Sequence, residues 1–212
     1  MDFQEFLEYV PKIMEAKLPA QEAHFKMAPL ERIANMEKLE LQSKNPKIAA
    51  VMMLFYSKNG TTHIVLIVRN SYDGVHSAQI AFPGGKFEPD DETFEITALR
   101  ETFEEIGIHP DRIEILRQFT HLYIPPSDFL VYPFLGICRE DILFIPDSSE
   151  VAAIIELPLS VFLGEEVVVS VTISTSYASD IMVPAFKIGE HIVWGATAMM
   201  LSELKEVLKK VL

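Results

Sequence analysis

Residues 82–108 read FPGGKFEPDDETFEITALRETFEEIGI, and the fold is read outward from them. The stretch opens on Pro83-Gly84-Gly85, passes an acidic turn at Glu88, Asp90, Asp91 and Glu92, and enters a segment of helical composition that stops at Gly107. At about 100° per residue, Glu101, Glu104 and Glu105 fall within about 100° of arc on one helix face. Carboxylates at that spacing repel each other and weaken the helix. A hard divalent cation reverses that cost, because Mg²⁺ and Mn²⁺ take oxygen ligands. A solvated acidic face is the other reading of the cluster alone. Gly84 and Gly85 let a backbone approach a ligand closely or adopt positive φ, and Pro83 stiffens the entry; by themselves they also make an ordinary turn.

The Gly-Gly loop, the acid at Glu92 and the Arg100-Glu101 and Glu104-Glu105 pairs follow in a set order. That order resembles the Nudix box, the strand–loop–helix signature of Nudix hydrolases: glycine, five residues, Glu, seven residues, Arg-Glu, two residues, Glu-Glu, one residue, Gly. Seven residues separate Glu92 from Arg100, and Gly107-Ile108 closes the pattern. The front departs from it. Lys86 stands six before Glu92, so Gly85 lies one residue early, and Thr102 fills a usually aliphatic position.

The resemblance implies an α/β protein, an α/β/α sandwich around a mixed β-sheet. It implies hydrolysis of a pyrophosphate bond in a nucleoside diphosphate derivative with Mg²⁺ or Mn²⁺. Glu101, Glu104 and Glu105 would hold the metal with backbone help at Gly85, and Glu101 would also act as, or orient, the general base. Arg100 would hold a carboxylate in this catalytic group, either Glu104 four residues on or Glu92, the family-like partner. Glu92 and Gly107 would be structural. A further acidic ligand would come from Glu150 or from the Glu165–Glu166 loop.

Residues outside the box narrow the resemblance. Arg69-Asn70, HSAQIAFPGGK (76–86), VPAF (183–186) and VWGATAMML (193–201) look like the coenzyme A pyrophosphatase branch. The branch implicates Arg69, Gln79, Phe82, Pro83, Gly84 and Gly85 in substrate binding, and Lys86 either contacts phosphate or is solvated. The branch also expects Ser or Ala, a second arginine and a glycine where this chain has Asn70, Gly74 and Ala78. The missing arginine bears on the 3′-phosphate of coenzyme A, which a basic group should recognise. The implied reaction cleaves CoA or acyl-CoA to 3′,5′-ADP and (acyl-)4′-phosphopantetheine. Another substrate, an ADP-sugar or a dinucleotide, is the alternative. A catalytically silent nucleotide-binding module is a third reading, against which the intact glutamate pairs speak.

Composition bounds the setting. The chain has 212 residues, a net charge of −13 and a single cysteine, Cys138. That charge disfavours nucleic-acid backbones, and one cysteine allows no intrachain disulfide. The start MDFQEFLEYV lacks the basic and apolar regions of a signal peptide, and the apolar run Ile48–Tyr56 is too short to cross a bilayer. The expectation is a cytoplasmic protein with a small-molecule nucleotide substrate, bound to neither nucleic acid nor membrane. A homodimer through the N-terminal region or the Pro125–Pro126 loop is compatible with the sequence, which selects neither. His24 receives no role. His76, His109 and His121 lack metal-ligand spacing, and Cys138 reads as a buried small hydrophobe.

Periodicity divides the chain into an N-terminal helical extension, residues 1–44, and a main domain, residues 45–212. Phe3, Phe6, Leu7, Val10, Ile13 and Met14 form an amphipathic stripe that Pro11 should kink or split. A second helix is expected over Leu30–Leu41. Strands are expected at Ile48–Ser57, Thr62–Arg69, Gln79–Phe82, Arg112–Leu122, Phe129–Cys138, Ser149–Glu156, Val167–Ile173 and Ile181–Phe186. Asn59-Gly60 signals a hairpin, and Ser71–Val75 a turn. Asp90 or Asp91 should cap the glutamate helix, with Phe94, Ala98, Leu99, Phe103 and Ile106 facing the core. The stripe Met200, Leu201, Leu204, Val207, Leu208 and Val211 marks a closing helix, Ala198–Leu212.

Overall fold

The computed structural model describes residues 1–29, 45–70, 79–173 and 180–212. Its spine is β1 (Lys47–Lys58), an almost unbroken apolar run, as expected of a strand covered on both faces. Asn59 and Gly60, with φ of 50° and 78°, turn it into antiparallel β2 (Thr61–Arg69), with the positive angles that a two-residue hairpin requires. On its other edge β1 pairs in parallel with β7 (Phe129–Cys138). The sheet continues outward from β2 to β3 (Ile80–Ala81) and from β7 to β5 (Glu114–Gln118). β4 (Gly84–Lys86) pairs with the start of β1, β6 (Leu122–Ile124) with β7, and β8 (Val151–Pro158) with β2. Among the described residues, eight strands make this mixed sheet. A separate antiparallel sheet joins β9 (Val168–Ile173), β10 (Ile181–Ile188) and β11 (His191–Val193).

Alternation along the strands builds two cores. Met53, Phe55, Ile64, Leu66, Leu135 and Ile137 face α1 (Phe3–Glu15) and α5 (Gly195–Val211). Met52, Leu54, Tyr56, Val65 and Ile67 face α3 (Phe94–Ile106) through Ala98 and Ile106. The result is the expected α/β/α sandwich.

The helices correct the sequence reading in several places. Pro11 neither splits nor ends α1, which is one helix capped by Asp2. Phe3, Phe6, Val10 and Ile13 are buried on both sides of the proline. At about 1.5–3 kcal/mol per buried side chain, they outweigh the proline's ~3 kcal/mol. Arg117 closes the helix end by donating from Nη1 to the carbonyls of Ile13 (3.0 Å), Met14 (2.9 Å) and Ala16 (2.7 Å). A short helix that the sequence did not announce, α2 (Gln21–Phe25), packs on α5. There the buried Glu203 carboxylate accepts from the Ala20 amide (2.9 Å), the Thr120 amide (3.1 Å) and the Thr120 hydroxyl (2.6 Å), with His24 Nε2 at 3.4 Å. The helix expected over Leu30–Leu41 and the turn over Ser71–Val75 lie outside the described residues.

Thr93, not Asp90 or Asp91, caps α3, its hydroxyl accepting from the Ile96 amide at 3.3 Å. Phe103 is 47% exposed instead of facing the core, while Thr102 is fully buried. The face carrying Ala98, Thr102 and Glu105 turns inward because Glu105 is drawn under the glycine loop; the Thr102 hydroxyl is satisfied by the Ala98 carbonyl at 2.6 Å. Gly107 ends the helix at φ 76°, its amide bonded to the Phe103 carbonyl, as the sequence predicts. β8 runs through Pro158 into a short helix, α4 (Leu159–Leu163), beyond the expected stop. Among the described residues, no helix is long and apolar enough to cross a membrane.

Candidate active site

β4 lies on β1 because residue 84 has no side chain. A Cβ on Gly84, whose φ is 152°, would stand 2.4 Å from the Ala50 carbonyl oxygen and 2.6 Å from Val51 Cα. This close approach aims the Gly84 amide at α3, where it donates to Glu105 Oε2 at 2.7 Å. Arg69 Nη1 reaches the other oxygen, Oε1, at 3.1 Å. Glu105 is 1% exposed. Burial pushes its carboxyl up to about 7 against the pull of the Gly84 amide and Arg69, and the charges of Glu101 and Glu150 push the same way.

Glu101 sits one turn back, over Gly85. A Cβ on Gly85 would meet the Glu101 carboxylate at 2.4 Å, so the loop backbone and the carboxylate share a space only glycine leaves open. Burial raises the Glu101 carboxyl, Arg100 opposes that, and Glu104 and Glu150 add to it. Glu104 is nearer solvent, its side chain 53% exposed.

Arg100 ties these groups together and corrects an expectation. Its fork is held by Asp91, not Glu92: Nε to Oδ1 and Nη2 to Oδ2, both at 2.9 Å. Nη2 also donates to the Lys86 carbonyl at 3.1 Å, and Nη1 donates to Glu101 Oε1 and Glu104 Oε2 at 2.9 Å each. The Glu104 half of the expectation stands. Glu92 is exposed. The longer loop shifts the frame by one residue, and Asp91 is fixed there by the Glu88 amide at 3.0 Å and the Thr97 hydroxyl at 2.9 Å. The Arg100 guanidinium above all holds the Asp91 carboxyl down at about 2.

The other expected residues divide. Phe82 is 1% exposed and belongs to the core beneath the sheet, so it does not face a substrate; the strand that delivers the loop points this ring inward. Arg69 pairs through Nη1 with Glu105 and lies beside Gln79, whose carbonyl accepts its amide at 3.0 Å. The Lys86 side chain is exposed, and its carbonyl serves Arg100. Of the two sources weighed for a further acid, Glu150 is the one whose charge acts on Glu101 and Glu105, whereas Glu165 pairs with Lys209. His109 is an exposed neighbour of Phe103, His121 lies against Tyr132, and Cys138 is buried. His76, Gly74 and Ala78 lie outside the described residues. Asp91 was missed, and the signal for it was the extra residue in the loop.

The donor set suits a hard cation. It is all oxygen, burial and neighbouring carboxylates hold the Glu101 and Glu105 carboxyls above their ordinary range, and the glycine loop lies against both of them. Among the described residues, no three or more His, Cys, Asp or Glu side chains already form a closed metal cage. Arg100 and Arg69 instead neutralise the glutamates.

The NUDIX domain family model matches residues 46–168. Nudix hydrolase 15, mitochondrial, of Arabidopsis thaliana is 33% identical over 138 residues, 64% of this chain and 48% of that protein. The uncharacterized Nudix hydrolase NudL of Photorhabdus laumondii is 30% identical over 171 residues, 77% of this chain and 86% of that one. The peroxisomal coenzyme A diphosphatase NUDT7 of Mus musculus is 32% identical over 120 residues, 56% of this chain and 50% of the mouse protein. The chain thus spans about half the length of the Arabidopsis and mouse relatives. A MutT/nudix family protein from Enterococcus faecalis shares the fold at a TM-score of 0.54 and 17% identity, over 91% of this chain and 75% of that one. With the glycine loop and the glutamate helix brought together on this fold, and the family model matched over more than half of the sequence, the chain belongs to the Nudix hydrolases.

Proposed function

We propose that this protein hydrolyses the pyrophosphate bond of a nucleoside diphosphate derivative with Mg²⁺ or Mn²⁺, and that the substrate is CoA or an acyl-CoA, giving 3′,5′-ADP and (acyl-)4′-phosphopantetheine. The observation that carries the reaction class is the pair of carboxylates, buried Glu105 and partly buried Glu101, set against the Gly84–Gly85 backbone. Glu101, Glu104 and Glu105 would hold the metal. The bound ion would neutralise phosphate charge, orient the link and acidify water. Glu105 is oriented by the Gly84 amide and Arg69, and Glu101 by Arg100. Glu101 abuts the loop where a substrate would arrive, which supports its reading as the base or the group that orients it. Residues 45–212 are the proposed catalytic domain, and a cytoplasmic setting is proposed with them.

The substrate reading rests on the Arg69-to-Lys86 residues and on the likeness to a protein described as a coenzyme A diphosphatase. The reduced supply of positive charge around the loop favours the second reading, a different nucleoside diphosphate derivative. Arg69 shares its Nη1 with Glu105, and Gly74 stands where the second arginine is expected, so less positive charge is left for a 3′-phosphate than the branch pattern supplies.

Product analysis tests both readings, with CoA, acetyl-CoA, ADP-ribose, NADH and diadenosine polyphosphates, each with Mn²⁺ and with chelator. Metal-dependent 3′,5′-ADP from CoA upholds the first. AMP from ADP-ribose or a dinucleotide, with CoA untouched, keeps the chemistry and replaces the substrate. Glu105→Gln keeps an acceptor for the Gly84 amide and loses the charge, so it should fold and lose activity by at least the ~10–100-fold typical of damage around a metal site. Wild-type rates in folded Glu105→Gln would refute the metal assignment.

A further inference from the structure

Resting on the reading of the glutamates as the metal site, we propose that Asp91 is a positioning residue for the metal. It holds one side of the Arg100 guanidinium, confines that cation to a single nitrogen on the glutamates, and so leaves Glu101 and Glu104 open to a divalent ion.

A guanidinium has five N–H donors: one on Nε and two on each terminal nitrogen. All five are accounted for here. Asp91 takes the Nε donor and one from Nη2, and the Lys86 carbonyl takes the second Nη2 donor. Only Nη1 remains, and its two donors go one each to Glu101 and Glu104. Each glutamate therefore keeps one oxygen that Arg100 does not touch.

Asp91 can hold this plane because it is itself held. Its side chain is 4% exposed, and Oδ2 also accepts from the Thr97 hydroxyl on α3 and the Glu88 amide in the loop. Without the Asp91 charge, Nε and Nη2 lose their best acceptor. The guanidinium then gains most by turning a two-pronged edge onto Glu101 or Glu104, the geometry in which arginine binds carboxylate best. It would then compete with the metal for the oxygens it now leaves alone. The usual motif acid, Glu92, is exposed and takes none of the five Arg100 donors.

The test is the Mn²⁺ dissociation constant, by titration calorimetry or by the spin-resonance signal of free Mn²⁺, on proteins verified as folded by circular dichroism. Wild type, Glu101→Gln, Asp91→Asn, Glu92→Gln, Arg100→Gln and the double variant Asp91→Asn/Arg100→Gln are compared. Asp91→Asn should weaken Mn²⁺ binding about 10–100-fold, and Glu92→Gln should leave it unchanged. In the Arg100→Gln background, Asp91→Asn should add no more than about twofold, the usual limit of additivity. A purely structural Asp91 would lower the melting temperature without moving the constant of the folded protein. A wild-type constant in folded Asp91→Asn overturns the proposal, and so does an equal loss with and without Arg100. If Asp91→Asn does not fold, Thr97→Val removes one brace on Asp91 and should weaken Mn²⁺ about two- to tenfold; no change overturns the proposal. Wild-type Mn²⁺ binding that Glu101→Gln leaves intact would instead overturn the metal-site reading itself.

Discussion

Replacing Gly85 with alanine places a methyl group where the Glu101 carboxylate now lies. The new Cβ would stand 2.4 Å from the carboxylate carbon, and ordinary contact begins at 3.4 Å, so the carboxylate must retreat by about 1 Å. The obstacle is the far end of a flexible side chain, and Gly85 is outside the left-handed region, so the fold absorbs the change. Losing a glycine also reduces the freedom of the unfolded chain, so stability should stay within about 1 kcal/mol of wild type. At ~2–4 °C per kcal/mol for a chain of this size, the melting temperature moves by about 4 °C at most. Activity should respond much more, because a 1 Å misplacement in a catalytic constellation costs about 10²-fold. Gly84→Ala is the converse. Its Cβ would meet backbone, the Ala50 carbonyl oxygen at 2.4 Å, at a φ of 152°. Strained backbone alone costs about 1–3 kcal/mol, and the overlap adds to it, so a loss of about 6 °C or more is expected. The assay is metal-dependent turnover of the best substrate from the product panel, with thermal melts on the same samples. Wild-type turnover in Gly85→Ala, or a wild-type melting temperature in Gly84→Ala, would refute the reasoning.

Three further outcomes follow from the same geometry. The Asp91 carboxyl sits at about 2 against an ordinary 3.8; a pKa lowered by folding contributes stability that is complete above the unfolded value and is lost as pH falls through the folded one. At 1.36 kcal/mol per pKa step this amounts to about 2 kcal/mol at neutral pH, so Asp91→Asn should lose about that much in urea unfolding at pH 7, with the gap to wild type closing between pH 4 and 2; a gap independent of pH would show the pair contributes nothing. Phe82→Ala should cost about 3–5 kcal/mol of unfolding free energy and leave KM unchanged, whereas a raised KM at full stability would return Phe82 to the substrate side. Glu203→Ala strands the Ala20 amide, the Thr120 amide and the Thr120 hydroxyl; at about 1–3 kcal/mol for a buried group without a partner, it should open residues 17–28 to limited proteolysis at temperatures where wild type resists.

Features set by neighbours along the chain were legible in the sequence. Asn59-Gly60 announced its hairpin, the glutamates announced a helix face, and Gly107 announced where that helix stops, because each depends on a few adjacent residues. What failed depended on partners distant in sequence or on loop geometry. Asp91 and Glu92 are adjacent carboxylates, and only the path of the longer loop decides which meets Arg100. Phe82 follows the motif-like strand, yet the twist into β4 turns its ring to the core. That Arg69 pairs with Glu105, on another element, nothing local could show. Phe103 faces outward, against expectation, because Glu105 sets the rotation of α3, a constraint that hydrophobicity does not carry. α2 has five residues, too short for periodicity to register.

The knot at Glu203 has a consequence for how the protein is made. α1 and α2 leave the ribosome well before α5, which supplies part of the surface that covers them. Phe3, Phe6, Val10 and Ile13 share a core with Leu201, Leu204 and Leu208. The Ala20 amide and His24 wait for a carboxylate that lies 183 residues beyond Ala20. Until residues 195–211 emerge, the nascent polypeptide carries an apolar helix with no complete seat, a species prone to aggregation and suited to chaperone capture. Synthesis that stalls after the family-matched stretch, residues 46–168, would hold both halves of the box and still lack the last wall of the core.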